Sequence, residues 1–141
     1  MSLDAQILSA LRAASGGVSG AELAAQFRVT RAAVWSRIQE LRILGYEIEA
    51  SPHLGYRLVA SPDVLHADDL KLRLGRTRVV GREIRVFQET SSTNDVMEKI
   101  ARDGVAEGMV VFAEKQTRGR GRLGRRWHSP RGLGLYGSVL F

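Results

Sequence analysis

Over residues 1–45 the apolar positions recur with helical spacing. Ile7, Leu8, Leu11 and Ala14 fall on one face of a helix expected over residues 3–14, with Ser2 and Asp4 able to cap its start. Ser15-Gly16-Gly17 interrupts that run. Ser19 followed three residues later by Glu22 has the spacing of a capping box, and predicts a short second helix through Leu23, Ala24 and Phe27. Thr30 predicts the cap of a third helix that turns Ala33, Val34, Ile38, Leu41 and Leu44 inward and ends at Gly45. The period then shortens to two. Residues 46–50 and 56–59 alternate across the turn-forming Ser51-Pro52-His53-Leu54-Gly55, which predicts a β-hairpin.

Two short helices joined by a tight turn at Arg28 to Thr30, followed by a hairpin, form the pattern of a winged helix-turn-helix, whose second helix enters the DNA major groove. The candidate DNA-contacting residues are Ser19, Thr30, Arg31, Trp35, Arg37 and Arg42, with Ser36 and Gln39 on the same exposed face. Arginine and glutamine can read base edges or hold phosphates. The alternative is a unit of this shape that docks on protein, because fold does not fix function.

Ala60-Ser61-Pro62-Asp63 breaks both periodicities and divides the chain into a winged helix at 1–62 and a second domain at 63–141. In the second domain a helix is expected over 67–74, capped by His66 or Asp68. A strand is expected over 83–88, a helix carrying Val96, Met97, Ile100 and Ala101 up to Gly104, and apolar strands at 108–113 and 134–141. The fold class is α+β. Because the last of these strands has no turn or polar tail after it, residues 63–141 are expected to be the truncated opening of a larger sheet domain.

Charge sharpens the picture in one place. The net charge is +6 and the pI about 10.5. Residues 1–60 hold six bases against five acids, so most of the surplus falls later. Lys115, Arg118, Arg120, Arg122, Arg125, Arg126 and Arg131 occupy one acid-free stretch with Gly119, Gly121 and Gly124 between them. Glycine lets backbone N–H groups approach an anion, and guanidinium forks match phosphate oxygens, so the stretch points to a phosphate-bearing ligand. A flexible, solvated loop or a general nucleic-acid contact is the competing reading, and an RNA-binding protein using this loop is a further one. The absence of cysteine excludes disulfides and thiolate sites, and the isolated His53, His66 and His128 argue against a bound metal. With no apolar run long enough for a membrane span, a cytoplasmic protein without membrane contact is expected.

Ser91, Ser92, Thr93 and Asn94 stand where a strand gives way to a helix. They can serve as an N-cap, or line a pocket for a neutral polar head group, or both.

Taken in order, Ser92-Thr93-Asn94, Ala113-Glu114-Lys115-Gln116, Gly119-Arg120-Gly121-Arg122-Leu123-Gly124-Arg125-Arg126-Trp127 and Ser129-Pro130 resemble the BirA-type biotin protein ligases. The first sixty residues resemble the operator-binding winged helix of the same family, through Thr30-Arg31-Ala32-Ala33-Val34-Trp35, Ile38-Gln39-Glu40-Leu41-Arg42 and Gly55-Tyr56-Arg57-Leu58. The resemblance implies an enzyme that activates biotin with ATP, accompanied by Mg2+, to biotinyl-5'-AMP. It then passes biotin to a lysine of the biotin carboxyl carrier protein of acetyl-CoA carboxylase. It also implies repression at operator DNA and a homodimer of the full-length protein. On this reading Ser92, Thr93, Asn94, Gln116, Arg120, Gly121 and Arg122 bind biotin, and Arg120 and Arg122 are the catalytic cations. Gly119, Gly124, Arg125 and Trp127 belong to the adenylate loop. The family's later Lys-Trp-Pro-Asn-Asp segment has no counterpart before Phe141, so little turnover is expected of these 141 residues alone. A stand-alone winged-helix regulator with a ligand- or partner-sensing second part is the alternative.

Overall fold

The computed structural model describes residues 1–141, which divide into two compact units, Met1–Asp63 and Val64–Phe141. No helix is long and apolar enough to cross a membrane.

In the first unit, helices α1 (Leu3–Ala13), α2 (Gly20–Phe27) and α3 (Arg31–Ile43) precede the antiparallel strands β1 (Glu47–Ser51) and β2 (Gly55–Ala60). Each helix starts where a side chain can accept a free backbone N–H. Ser2 Oγ accepts from Ala5 at 3.2 Å, and Thr30 Oγ1 from Ala33 at 3.1 Å. At α2 Ser19 Oγ accepts from the Glu22 N–H at 3.1 Å while the Glu22 carboxylate accepts from the Ser19 N–H at 2.9 Å, closing the capping box. That bond from the Ser19 backbone is the main reason Glu22 titrates below its ordinary value, with the Ser19 hydroxyl adding to it.

Ile7, Leu8, Leu11, Leu23, Val34, Ile38 and Leu41 meet in the core, each contributing roughly 1.5–3 kcal/mol through burial. Leu44, expected on the same face, is exposed because α3 has ended and Leu44 caps it. Asp4 does not cap α1. It is buried and paired with Arg37 instead. The turn before β2 needs glycine: Gly55 has φ +74°, and a Cβ there would overlap the Val18 backbone. That close approach lets Val18 and Tyr56 exchange backbone hydrogen bonds at 2.9 and 2.8 Å, joining the hairpin to the α1–α2 connection.

In the second unit, α4 (Ala67–Leu74) leads to a sheet in the order β3 (Glu83–Phe87), β4 (Met109–Ala113) and β7 (Tyr136–Val139), β3 parallel and β7 antiparallel to β4. His66 holds the N-cap position of α4 but its side chain makes no capping bond, and Asp68 lies in the first turn. Helix α5 (Thr93–Arg102) connects β3 to β4. It lays Met97 and Ile100 on Met109 and Val111, with Phe87, Val96, Val105 and Leu140 around them.

The arginine-rich stretch is a hairpin, not an irregular loop. Strands β5 (Gln116–Arg120) and β6 (Arg126–Ser129) pair antiparallel, with a single 3-10 turn at Arg122–Gly124 between them. Its base is tied to the backbone that follows β3. The N–H groups of Thr117 and Arg118 donate to the carbonyls of Thr90 and Ser91 at 2.9 and 2.7 Å.

Candidate functional site

In the first unit a groove of about 740 Å3 runs between the start of α3 and the hairpin. Ser19, Arg31, Trp35, His53 and Tyr56 line it. Arg31 and Trp35 are exposed, as a DNA-reading face requires, and Thr30 contributes as the cap that sets where α3 begins. Ser19 lines the groove while its hydroxyl is spent on α2.

Two of the sequence candidates are committed elsewhere. Arg37 donates from Nε and Nη2 to the Asp4 carboxylate at 2.7 and 2.6 Å, and from Nη1 to Glu40 at 2.8 Å. Arg42 donates twice to the Ile48 carbonyl, at 2.9 and 2.6 Å. Helical periodicity puts both on the outer face of α3. It does not show that α1 and β1 supply acceptors there.

In the second unit a cleft of about 820 Å3 opens between α5 and the arginine hairpin. Its wall includes Asn94, Met97, Glu98, Arg120, Gly121, Arg122, Leu123, Arg125 and Trp127. Residues some thirty positions apart in sequence therefore face one cavity. Behind the wall lies a polar network centred on Gln116, whose Oε1 accepts from the Thr93 N–H at 2.8 Å and whose Nε2 donates to Ser129 Oγ at 3.1 Å. One side chain thus pins the start of α5 to both strands of the hairpin. Gly119 must be small, since a Cβ there would stand 2.8 Å from Ser129 Oγ and 3.0 Å from Gln116 Nε2. At Gly121 a Cβ would overlap the Trp127 indole nitrogen.

The sequence placed Ser92, Thr93, Asn94 and Gln116 together as ligand contacts, and the structure divides them. Ser92 and Thr93 are buried. Ser92 Oγ accepts from the Asn94 N–H at 3.3 Å, and Thr93 Oγ1 shares a 2.9 Å bond with Ser138 Oγ. With Gln116 and Gly119 they support the wall, and Asn94 is the member that reaches the cleft. Gly124 stands at the hairpin tip, where nothing approaches it. Sequence reading missed Ser138, whose hydroxyl bonds Thr93 Oγ1 and donates to Asn94 Oδ1, the latter at 2.5 Å. Its only signal was a serine set between glycine and valine in the last strand.

The basic side chains also separate. Lys115 pairs with Glu89 at 2.8 Å and lowers that carboxyl's pKa, chiefly by the hydrogen bond it donates. Arg131 bonds the side chain and carbonyl of Gln88. Arg120 donates from Nη2 to Glu98 and lies 2.9 Å from Asp95, and these contacts, Glu98 first, raise its pKa and keep it charged. Arg118, Arg122, Arg125 and Arg126 have no acidic partner, and Arg122 and Arg125 face the cleft.

Residues 4–57 match an HTH domain family, and residues 86–141 match the biotin/lipoate A/B protein ligase family. The bifunctional ligase/repressor BirA of Bacillus spizizenii is 38% identical over 92% of this chain and 39% of its own length. The protein of the same name from Escherichia coli is 33% identical over 87% of this chain and 36% of its own length. The chain thus spans about two fifths of the length of these relatives. Among solved structures, the biotin protein ligase of Aquifex aeolicus in complex with biotin and ATP aligns at 40% identity over 43% of this chain and 24% of that one, with a TM-score of 0.36. Along most of its length the chain is thus similar to the bifunctional ligase/repressors, with an HTH domain match over residues 4–57 and a biotin/lipoate A/B protein ligase match over residues 86–141.

Proposed function

We propose that this chain contributes the operator-binding part and the biotin-activating cleft of a bifunctional biotin ligase and repressor. The observation that carries the reading is the convergence of Asn94 from α5 with Arg120 and Arg122 from the hairpin on one cleft, held in register by Gln116. In the reaction a biotin carboxylate oxygen attacks the α-phosphorus of ATP, and the bond to pyrophosphate breaks. The Nζ of a lysine on the biotin carboxyl carrier protein of acetyl-CoA carboxylase then attacks the acyl carbon, and AMP leaves.

Both first-step reactants are anions, so the barrier falls where fixed positive charge meets the transferring phosphorus. Arg122, without an acidic partner, and Arg120 supply that charge. Asn94 offers its amide to the ureido ring, backed by Ser92, Thr93 and Gln116. Gly119 and Gly121 let the hairpin come close, while Gly124, Arg125 and Trp127 order it over the nucleotide. Mg2+ arrives as part of the ATP substrate. The first unit binds operator DNA through Arg31 and Trp35, with a homodimer of the full-length protein spanning two half-sites.

Two measurements test this. Biotin with ATP should protect the hairpin between Arg120 and Arg126 from trypsin, and equal cleavage with and without the ligands contradicts the assignment. In protein expressed from its complete coding sequence, replacing Arg120 and Arg122 by alanine should slow adenylate formation at least about a hundredfold, as loss of a charge-stabilising donor does. Parental rates would refute the role.

A further inference from the structure

We propose that Asp95 and Glu98 are the ligand-free partners of Arg120 and release its guanidinium to the ligand's anionic group as the cleft fills. The inference deepens the adenylate-site reading and rests on it.

Among the three arginines lining the cleft, Arg120 alone is held by carboxylates. Asp95 and Glu98 are one turn apart on α5, so both face the hairpin. Two carboxylates so placed repel each other and any incoming anion, and the guanidinium between them removes that repulsion. Both contacts use Nη2, which leaves Nη1 and Nε uncommitted. All three side chains are 43–56% exposed, where ion pairs are weak and exchange easily. A phosphate or carboxylate taken into a cleft that sheds water makes the stronger, charge-assisted bond. Neither acid is stranded by the exchange: Arg102 stands 4.0 Å from Glu98, and Ser91 Oγ donates to Asp95 at 3.3 Å.

The full 141-residue chain tests the proposal with inorganic pyrophosphate as probe. Glu98→Gln is made alone and together with Asp95→Asn, so that the single variant keeps the first-turn acid of α5. Without ligand, trypsin should cut the variants faster at Arg120, and pyrophosphate should protect them at about three- to tenfold lower concentration than the parent. Unchanged cleavage, unchanged protection, or protection that needs more pyrophosphate overturns the proposal; the last would mean that the acids hold Arg120 in place for the ligand. A parallel series with biotinyl-5'-AMP separates the two levels. If pyrophosphate behaves as expected while biotinyl-5'-AMP protects neither protein, the Arg120 exchange stands and the ligase reading fails.

Discussion

Arg37 and Arg31 lie on the same helix, yet one is fixed to Asp4 and Glu40 while the other borders an open groove. Removing Arg37 leaves the buried Asp4 carboxylate without its bidentate partner. Arg37→Ala should therefore destabilise the first unit by about 2 kcal/mol, less than a fully buried pair because the arginine is partly solvated. Arg31→Ala should leave the denaturation midpoint unchanged and weaken DNA binding; urea melts and duplex retention measured on both variants check the contrast. Gln116 makes the same point in the second unit. Gln116→Leu leaves the Thr93 N–H and Ser129 Oγ without their partner, and should cost about 1–3 kcal/mol along with biotin affinity. Denaturant melts with biotin titrations would show it, and an unchanged melt would mean that solvent replaces the glutamine. The resemblance marks Gln116 as a ligand contact, but no pattern in the sequence marks it as the tie between α5 and β6, because its partners lie 23 and 13 positions away.

At the scale of elements, the capping box of α2 was legible from the Ser19 and Glu22 spacing alone, since both bonds join residues three apart. Ser19→Ala should cost about 1 kcal/mol. Glu22 titrates below its ordinary value in the folded protein, so its contribution is present above about pH 4.3 and is lost as pH falls through the lowered folded value. Glu22→Gln should remove that part of the acid dependence, as melts at successive pH values below 5 will show. The arginine stretch was not legible as an element. Glycine disfavours a strand assignment, and the pairing comes instead from the neighbouring Thr90–Ser91 backbone and from β6. A glycine-rich segment becomes a strand because neighbouring backbone, β6 and the stretch after β3, presents donors and acceptors to it.

Taken whole, the molecule is two units of different electrostatic character. The winged helix is close to neutral, and the second unit carries most of the charge surplus. The DNA binding proposed for the first unit therefore rests on Arg31, the one arginine lining its groove, and not on a basic surface. Replacing Arg31 with alanine should reduce the slope of log affinity against log salt by about 0.9 per subunit. A slope that stays unchanged while binding weakens would place Arg31 on a base edge rather than a phosphate.

The sequence alone determined where the first three helices start, that an HTH precedes a hairpin, and which stretch carries anion-binding chemistry. Capping, periodicity and charge density are properties of near neighbours in the chain. Only the tertiary structure decided which arginines are free. It withdrew Arg37 and Arg42 into the fold, held Arg120 against α5, left Arg122 facing the cleft, and brought Ser138 to Asn94. A guanidinium's availability depends on whether a distant carboxylate or carbonyl lies within hydrogen-bond reach, and that distance exists only after packing.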